Sequence, residues 1–140
     1  MAAGRLITDR ETIQEILLSS RTVAVVGLSP NPERDSHRVG RYMLENGYDV
    51  IPVRPARKEI LGRPAYRTLA DVPVPVDIVD VFRRSDQIPA VAEEALALRP
   101  RVFWMQLGIE NHDAALQLTA AGIDVVMNRC IKVEHAAMGR

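Results

Sequence analysis

A chain of 140 residues with 18 basic and 18 acidic side chains, zero formal net charge and a pI near 6.8 has the size of one globular domain spanning 1–140, which excludes a two-domain enzyme. With 47% hydrophobic and 26% charged residues it matches the soluble average, and roughly two thirds of its unfolded surface can be buried without help from a metal or a disulfide. Balanced charge argues against a general nucleic-acid binder, which needs surplus cations to release phosphate counterions.

Asp9 or Thr8 can cap a helix through Leu18, in which Ile13, Ile16 and Leu17 recur at helical spacing. Thr22 to Leu28 is β-branched and apolar at nearly every position, as a strand buried on both faces requires. The turn-forming run Ser29 to Ser36 follows, with Ser36 as the expected cap of a helix carrying Val39, Tyr42, Met43 and Leu44 to Gly47. Tyr48 to Val53 reads as a second strand, ended by Arg54 and Pro55. Ala56 to Pro75 is irregular, with an extended piece at Ile60 to Gly62 and a helical turn or two at Leu69 to Val72. Three strands (Asp77 to Phe82, Val102 to Gln106, Asp124 to Met127) then alternate with helices over Asp86 to Leu98, Asn111 to Ala121 and Ile131 to Met138. Continuous apolar strands separated by helices predict an α/β, Rossmann-like three-layer αβα domain with a mainly parallel sheet of about five strands. Its ligand is expected beyond the carboxyl ends of the strands, where winding reverses next to the first strand.

The first βα turn is the natural phosphate site, because helix-terminal amides point outward there. It contains Gly27 but lacks the remaining glycines of a G-x-G-x-x-G fingerprint, so any diphosphate rests on amides and hydroxyls of Ser29, Asn31 and Ser36. The alternative is an ordinary connection with a serine cap. At the end of the second strand a free ribose hydroxyl is usually held by an Asp or Glu. Here the sequence offers Arg54, Arg57, Lys58, Arg63 and Arg67 against the single acid Glu59, which suggests a phosphorylated ribose. NADP and coenzyme A both fit that description, and a solvated basic loop is the competing explanation.

The ordered strings V-A-V-V-G-L-S-P-N-P-E-R-D-S-H-R-V, G-Y-D-V-I-P-V-R-P, E-I-L-G, P-V-D-I-V-D-V-F-R, W-M-Q-L-G and M-N-R-C cover almost the whole chain. Together they resemble the small bacterial CoA-binding proteins, which are similar to the amino-terminal CoA-binding domain of the succinyl-CoA synthetase α-subunit. The resemblance implies coenzyme A as ligand, its diphosphate near Gly27, Ser29, Asn31, Ser36 and His37. It further implies the adenosine 3′-phosphate end near Val53, Arg54 and Lys58, and contacts at Phe82 and Arg83. The synthetase subunit carries its phosphorylated histidine in a further domain that has no counterpart here, so binding of CoA or an acyl-CoA without catalysis is expected. The rival reading is a small NADP-dependent oxidoreductase or an accessory subunit of a reductase; a third is a structural partner whose pocket has lost its use.

The one cysteine, Cys130, excludes an intrachain disulfide and fits a reducing, cytoplasmic setting. Arg129 and Lys132 nearby could favour a thiolate able to form a mixed disulfide with CoA, though a packed small hydrophobe is the preferred reading. His37, His112 and His135 are too scattered for a metal signature, and no apolar run spans a membrane. Trp104 is expected in the core and Gln106 facing the ligand. Asp77 and Asp80 read as strand-end caps or surface groups rather than an acid/base pair.

Overall fold

The computed structural model describes residues 3–138. In chain order the main elements are α1 (Arg10–Ser19), β1 (Thr22–Val26), α2 (Asp35–Glu45), β2 (Asp49–Val53), β3 (Glu59–Ile60), β4 (Arg63–Pro64), β5 (Ile78–Val81), α3 (Ile88–Leu98), β6 (Val102–Met105), α4 (His112–Ala120), β7 (Asp124–Val126) and α5 (Ile131–Ala136). Five strands form one parallel sheet in the order β2-β1-β5-β6-β7. This is the expected Rossmann-like architecture, and β1 is where the winding reverses. Alternate strand residues supply two cores. Ala24, Val79 and Phe103 pack with α3 and α4, whereas Val23, Val25 and Trp104 pack with α1, α2 and α5.

Both sheet edges are covered, which removes their unpaired amides from aggregation. At β7 the segment before α1 runs alongside: Leu6 bridges Val125, and the Ile7 amide donates to the Val125 carbonyl at 2.8 Å. At β2, Tyr66 exchanges backbone bonds with Pro52 and Arg54.

Helix ends follow the capping rules in part. Asp9 accepts from the Thr12 amide (3.0 Å) and hydroxyl (2.6 Å), and these bonds hold its carboxyl below the usual range. Asn111 caps α4 through the Ala114 amide at 2.9 Å. Ser36 is not the cap of α2. The helix begins at Asp35, two residues earlier than a Ser36 cap would set it, behind Arg34 with no side-chain cap, and the buried Ser36 hydroxyl instead accepts from the Ser29 amide at 2.9 Å. The irregular stretch after β2 contains a hairpin, β3 with β4, turned through Leu61 and Gly62 at φ 57° and 71°, followed by a 3-10 turn over Leu69–Asp71.

Asp77 caps as expected, accepting from the amides of Arg21 (2.8 Å) and Thr22 (3.0 Å). Asp80 does not. It lies in β5 between Val25 and Trp104, fully buried, with no hydrogen-bond partner on either carboxylate oxygen, and burial pushes its carboxyl well up. An apolar neighbour on each side, not an end of a strand, sets its environment.

Candidate functional site

The carboxyl ends of β1, β2 and β5 converge at Gly27. This residue adopts φ 85°, and a Cβ built on it would lie 2.4 Å from the Phe82 carbonyl oxygen, so only glycine lets the two strand ends approach this closely. Its amide donates to the Val53 carbonyl at 2.9 Å, and the Phe82 amide donates to Val26 at 2.9 Å, which ties all three strand ends together.

The loop that follows is organised by its own side chains. Leu28 is fully buried, seated where Gly40 of α2 leaves room: a Cβ there would meet the Leu28 methyl at 2.8 Å. The Ser29 hydroxyl accepts from the Asn31 amide at 3.1 Å, and the Asn31 side-chain carbonyl accepts from Glu33 at 3.0 Å. Nδ1 of the buried His37 lies 2.8 Å from the Ser29 carbonyl, a geometry in which the ring nitrogen carries the proton and donates. Four residues therefore fix a loop that the missing glycines would otherwise leave unspecified.

Above this loop lies a cleft of about 580 Å³ lined by Gly27, Ser29, Glu33, Arg34, Asp35, Ser36, Arg54, Phe82 and Arg83. The uncapped start of α2 contributes its partial positive charge. Three guanidinium groups face two carboxylates there, and Asp35 is paired with Arg38 at 3.3 Å. The cleft is thus suited to an anion. A second cleft of about 480 Å³ lies against α3, between Val26, Val53 and Pro55 on one side and Ala90, Val91 and Glu94 on the other, with Arg67 at its rim. Arg83 lines both.

Of the residues named from the sequence, Gly27, Ser29, Ser36, Arg54, Phe82 and Arg83 line the first cleft and Val53 lines the second. Asn31 and His37 line neither and act on the loop from behind. Lys58 is exposed and also lines neither. Arg63 is turned away, pairing with Asp49 and donating to the Val50 carbonyl at 3.2 Å. Sequence reading passed over Arg34, whose signal was its place directly before the helix, and the α3 residues of the second cleft, which carry no local signal.

Gln106 does not face these clefts. Its buried carbonyl accepts from the Ile131 amide at 3.1 Å and so caps α5. Trp104 is fully buried, its Nε1 donating to the Arg129 carbonyl at 2.8 Å. Cys130 is half-buried at the head of α5, beside a third cavity of about 490 Å³. The cations near it are engaged elsewhere: Arg129 with Glu134 and the Thr8 carbonyl, Lys132 over the Tyr42 ring. Among the described residues there is no group of three or more potential metal ligands, and no helix is long and apolar enough to cross a membrane.

Comparison with known proteins adds a family. A model described as "CoA binding domain" matches residues 21–136. The chain is 49% identical over 128 residues to the uncharacterized protein YneT of Bacillus subtilis, covering 91% of this chain and 95% of that one. It superposes on the structure of a hypothetical protein from Pyrococcus horikoshii OT3 with a TM-score of 0.91 and 37% identity, across the full length of both. A dinucleotide-forming acetyl-coenzyme A synthetase from Ca. Korarchaeum cryptofilum shares the fold at 22% identity and a TM-score of 0.71, over 79% of this chain and 26% of that one.

Proposed function

The chain belongs to the CoA binding domain family, and from that premise we propose that it binds coenzyme A or an acyl-CoA along the carboxyl-terminal edge of its sheet, without catalysis of its own. The observation that carries this reading is the pair of clefts meeting at Arg83, one cationic and polar, the other floored by Val26, Val53 and Pro55.

An extended adenine nucleotide needs a donor-rich site for phosphates and a flat apolar slot for its base. The diphosphate is assigned to the loop at Ser29 and the head of α2, where amides and the Arg34 and Arg83 guanidinium groups can donate. Arg54, at the end of β2, is assigned to the extra phosphate of the adenosine, with a charge-assisted bond that a neutral ribose cannot make. The adenine base is assigned to the slot against α3. Asn31 and His37 serve by holding the loop, and Lys58 contributes at most a long-range field.

Calorimetric titration with CoA, dephospho-CoA, NADP and NAD tests the reading. CoA should bind, and removing its 3′-phosphate should weaken binding by about 1.5–3 kcal/mol, the worth of one hydrogen bond to a charged group. Preference for NADP would instead establish the oxidoreductase reading, and silence with all four would leave the clefts without a nucleotide role.

A further inference from the structure

Large apolar side chains are exposed at six described positions, and four of them lie together: Leu6 (44%), Leu107 (68%), Leu116 (69%) and Val133 (56%). The four are joined by two adjoining cavities that share Leu6 and His112. They occupy the β7 edge of the domain and cross all three layers. Leu116 projects from α4 on one face of the sheet, Leu6 from the segment covering β7 in the middle, and Val133 from α5 on the other face. Exposed Ala120 on α4, Ala136 on α5 and Ala137 just after it extend the same surface with small apolar groups. Glu110 and His112 line the cavities between these side chains, so the patch joins apolar knobs to a polar rim; apolar patches of a few hundred Å² are commonly functional on soluble proteins.

We infer that this edge is the interface of a two-fold symmetric dimer of the chain. Three features favour a second copy over another occupant. The segment at Leu6 already takes up the Val125 amide and carbonyl at the edge of β7, and what this edge presents outward is four exposed apolar side chains, which favours side-chain packing. A two-fold axis parallel to the strands sets α4 of one copy on α5 of the other, so that Leu116 meets Val133 and the alanines at the end of α5. The same operation brings acidic Glu110 and Asp113, at the head of α4, opposite the copy's Arg10 on α1, which packs beside α5; Arg10 already bonds Glu134 of its own chain through Nε at 3.3 Å, but its side chain is 57% exposed, so its remaining guanidinium donors face a complementary charge and the pairing is made twice. With 18 charges of each sign the chain has no net repulsion to oppose self-association. An apolar centre of this size with a charged rim suits a standard interface, which buries about 800 Å² per partner.

Sedimentation velocity on the full chain at micromolar concentrations tests the inference. Twice the 15.6 kDa chain mass is expected. Leu116→Arg and, separately, Val133→Arg should sediment at the chain mass with the circular dichroism and melting temperature of a folded domain, because a central truncation or charge typically weakens an interface by about 30-fold or more. Leu18→Arg, on an exposed leucine outside the patch (63%), should remain dimeric. Wild type at the chain mass, an open-ended series of oligomers, a dimer that survives both patch substitutions while they stay folded, or dissociation by Leu18→Arg would each overturn it. CoA titration of the same variants keeps this result separate from the ligand assignment.

Discussion

Gly27→Ala separates two costs that glycine avoids, because the described glycines include positions that share its φ but not its surroundings. At Gly27 the new methyl would need φ 85° and would stand 2.4 Å from the Phe82 carbonyl oxygen, a backbone atom that cannot rotate aside. At Gly47, φ is 93° and nothing lies within 4 Å of the same methyl. Gly47→Ala should therefore lose only the conformational part, about 1–2 kcal/mol. Gly27→Ala adds separation of the β1 and β5 ends by roughly an ångström, which strains the Phe82 to Val26 and Gly27 to Val53 bonds, each worth about 1 kcal/mol. A total of about 3–4 kcal/mol is expected, or a melting temperature lower by about 10 °C for a domain of this size. Urea and thermal unfolding measure both variants. CoA affinity measured well below the transition should fall for Gly27→Ala and hold for Gly47→Ala, since only the former displaces Phe82 and Arg83. Equal destabilisation of the two variants would refute the close-approach argument.

Arg54→Ala should weaken CoA binding by about 1.5–3 kcal/mol and leave dephospho-CoA binding unchanged, whereas Arg63→Ala, whose guanidinium is committed to Asp49 and Val50, should leave both affinities unchanged; calorimetry on the four pairs decides. Burial raises the Asp80 carboxyl well above its ordinary range, so its folded pKa lies above its unfolded one: the stability it retains at low pH is lost as pH rises from near 4 toward the folded value. Stability of Asp80→Asn should be flatter with pH over that window, by up to one proton or about 1.4 kcal/mol per pH unit, and superimposable urea-midpoint profiles would contradict this. Gln106→Leu leaves the Ile131 amide buried without its acceptor and should cost about 1–3 kcal/mol in unfolding experiments, with CoA affinity preserved if Gln106 serves only α5.

Element types and sheet parallelism were legible because buried strands such as Val23 to Val26 and Val102 to Met105 have a continuous apolar pattern that no surface strand shows. Positions lining the first cleft were legible where they depend on chain order alone. Gly27, Ser29 and Arg54 follow directly from the ends of β1 and β2, and those ends must lie side by side in this topology. What escaped depends on direction. Lys58 and Arg63 lie in the same basic stretch as Arg54, yet a turn with Ala56 at φ 64° and a hairpin at Leu61 send them elsewhere. Asp80 and Gln106 escaped for a second reason: a polar residue in or beside a strand reads as an end or a ligand group, while burial and a neighbouring helix amide are facts of tertiary packing.

The same distinction explains how the first βα loop, to which the diphosphate is assigned by proposal, can dispense with two of the three usual glycines. Glycines in the dinucleotide turn allow the backbone to come close to the ligand and the helix to come close to the strand. Here each requirement is met separately. Close packing of strand ends is met by Gly27 against Phe82, and close packing of the loop on the helix by Gly40 beneath Leu28. Loop shape is met by side-chain bonds from Ser36, Asn31 and His37, together with the φ restriction of Pro30 and Pro32. A loop built this way is longer and stiffer than a glycine turn, and it keeps Arg34 at the mouth of the cleft where a tight turn would have no side chain. Guanidinium groups at Arg34, Arg54 and Arg83 then supply the positive charge that a neutral chain lacks globally, concentrated where three strand ends and one uncapped helix already favour an anion.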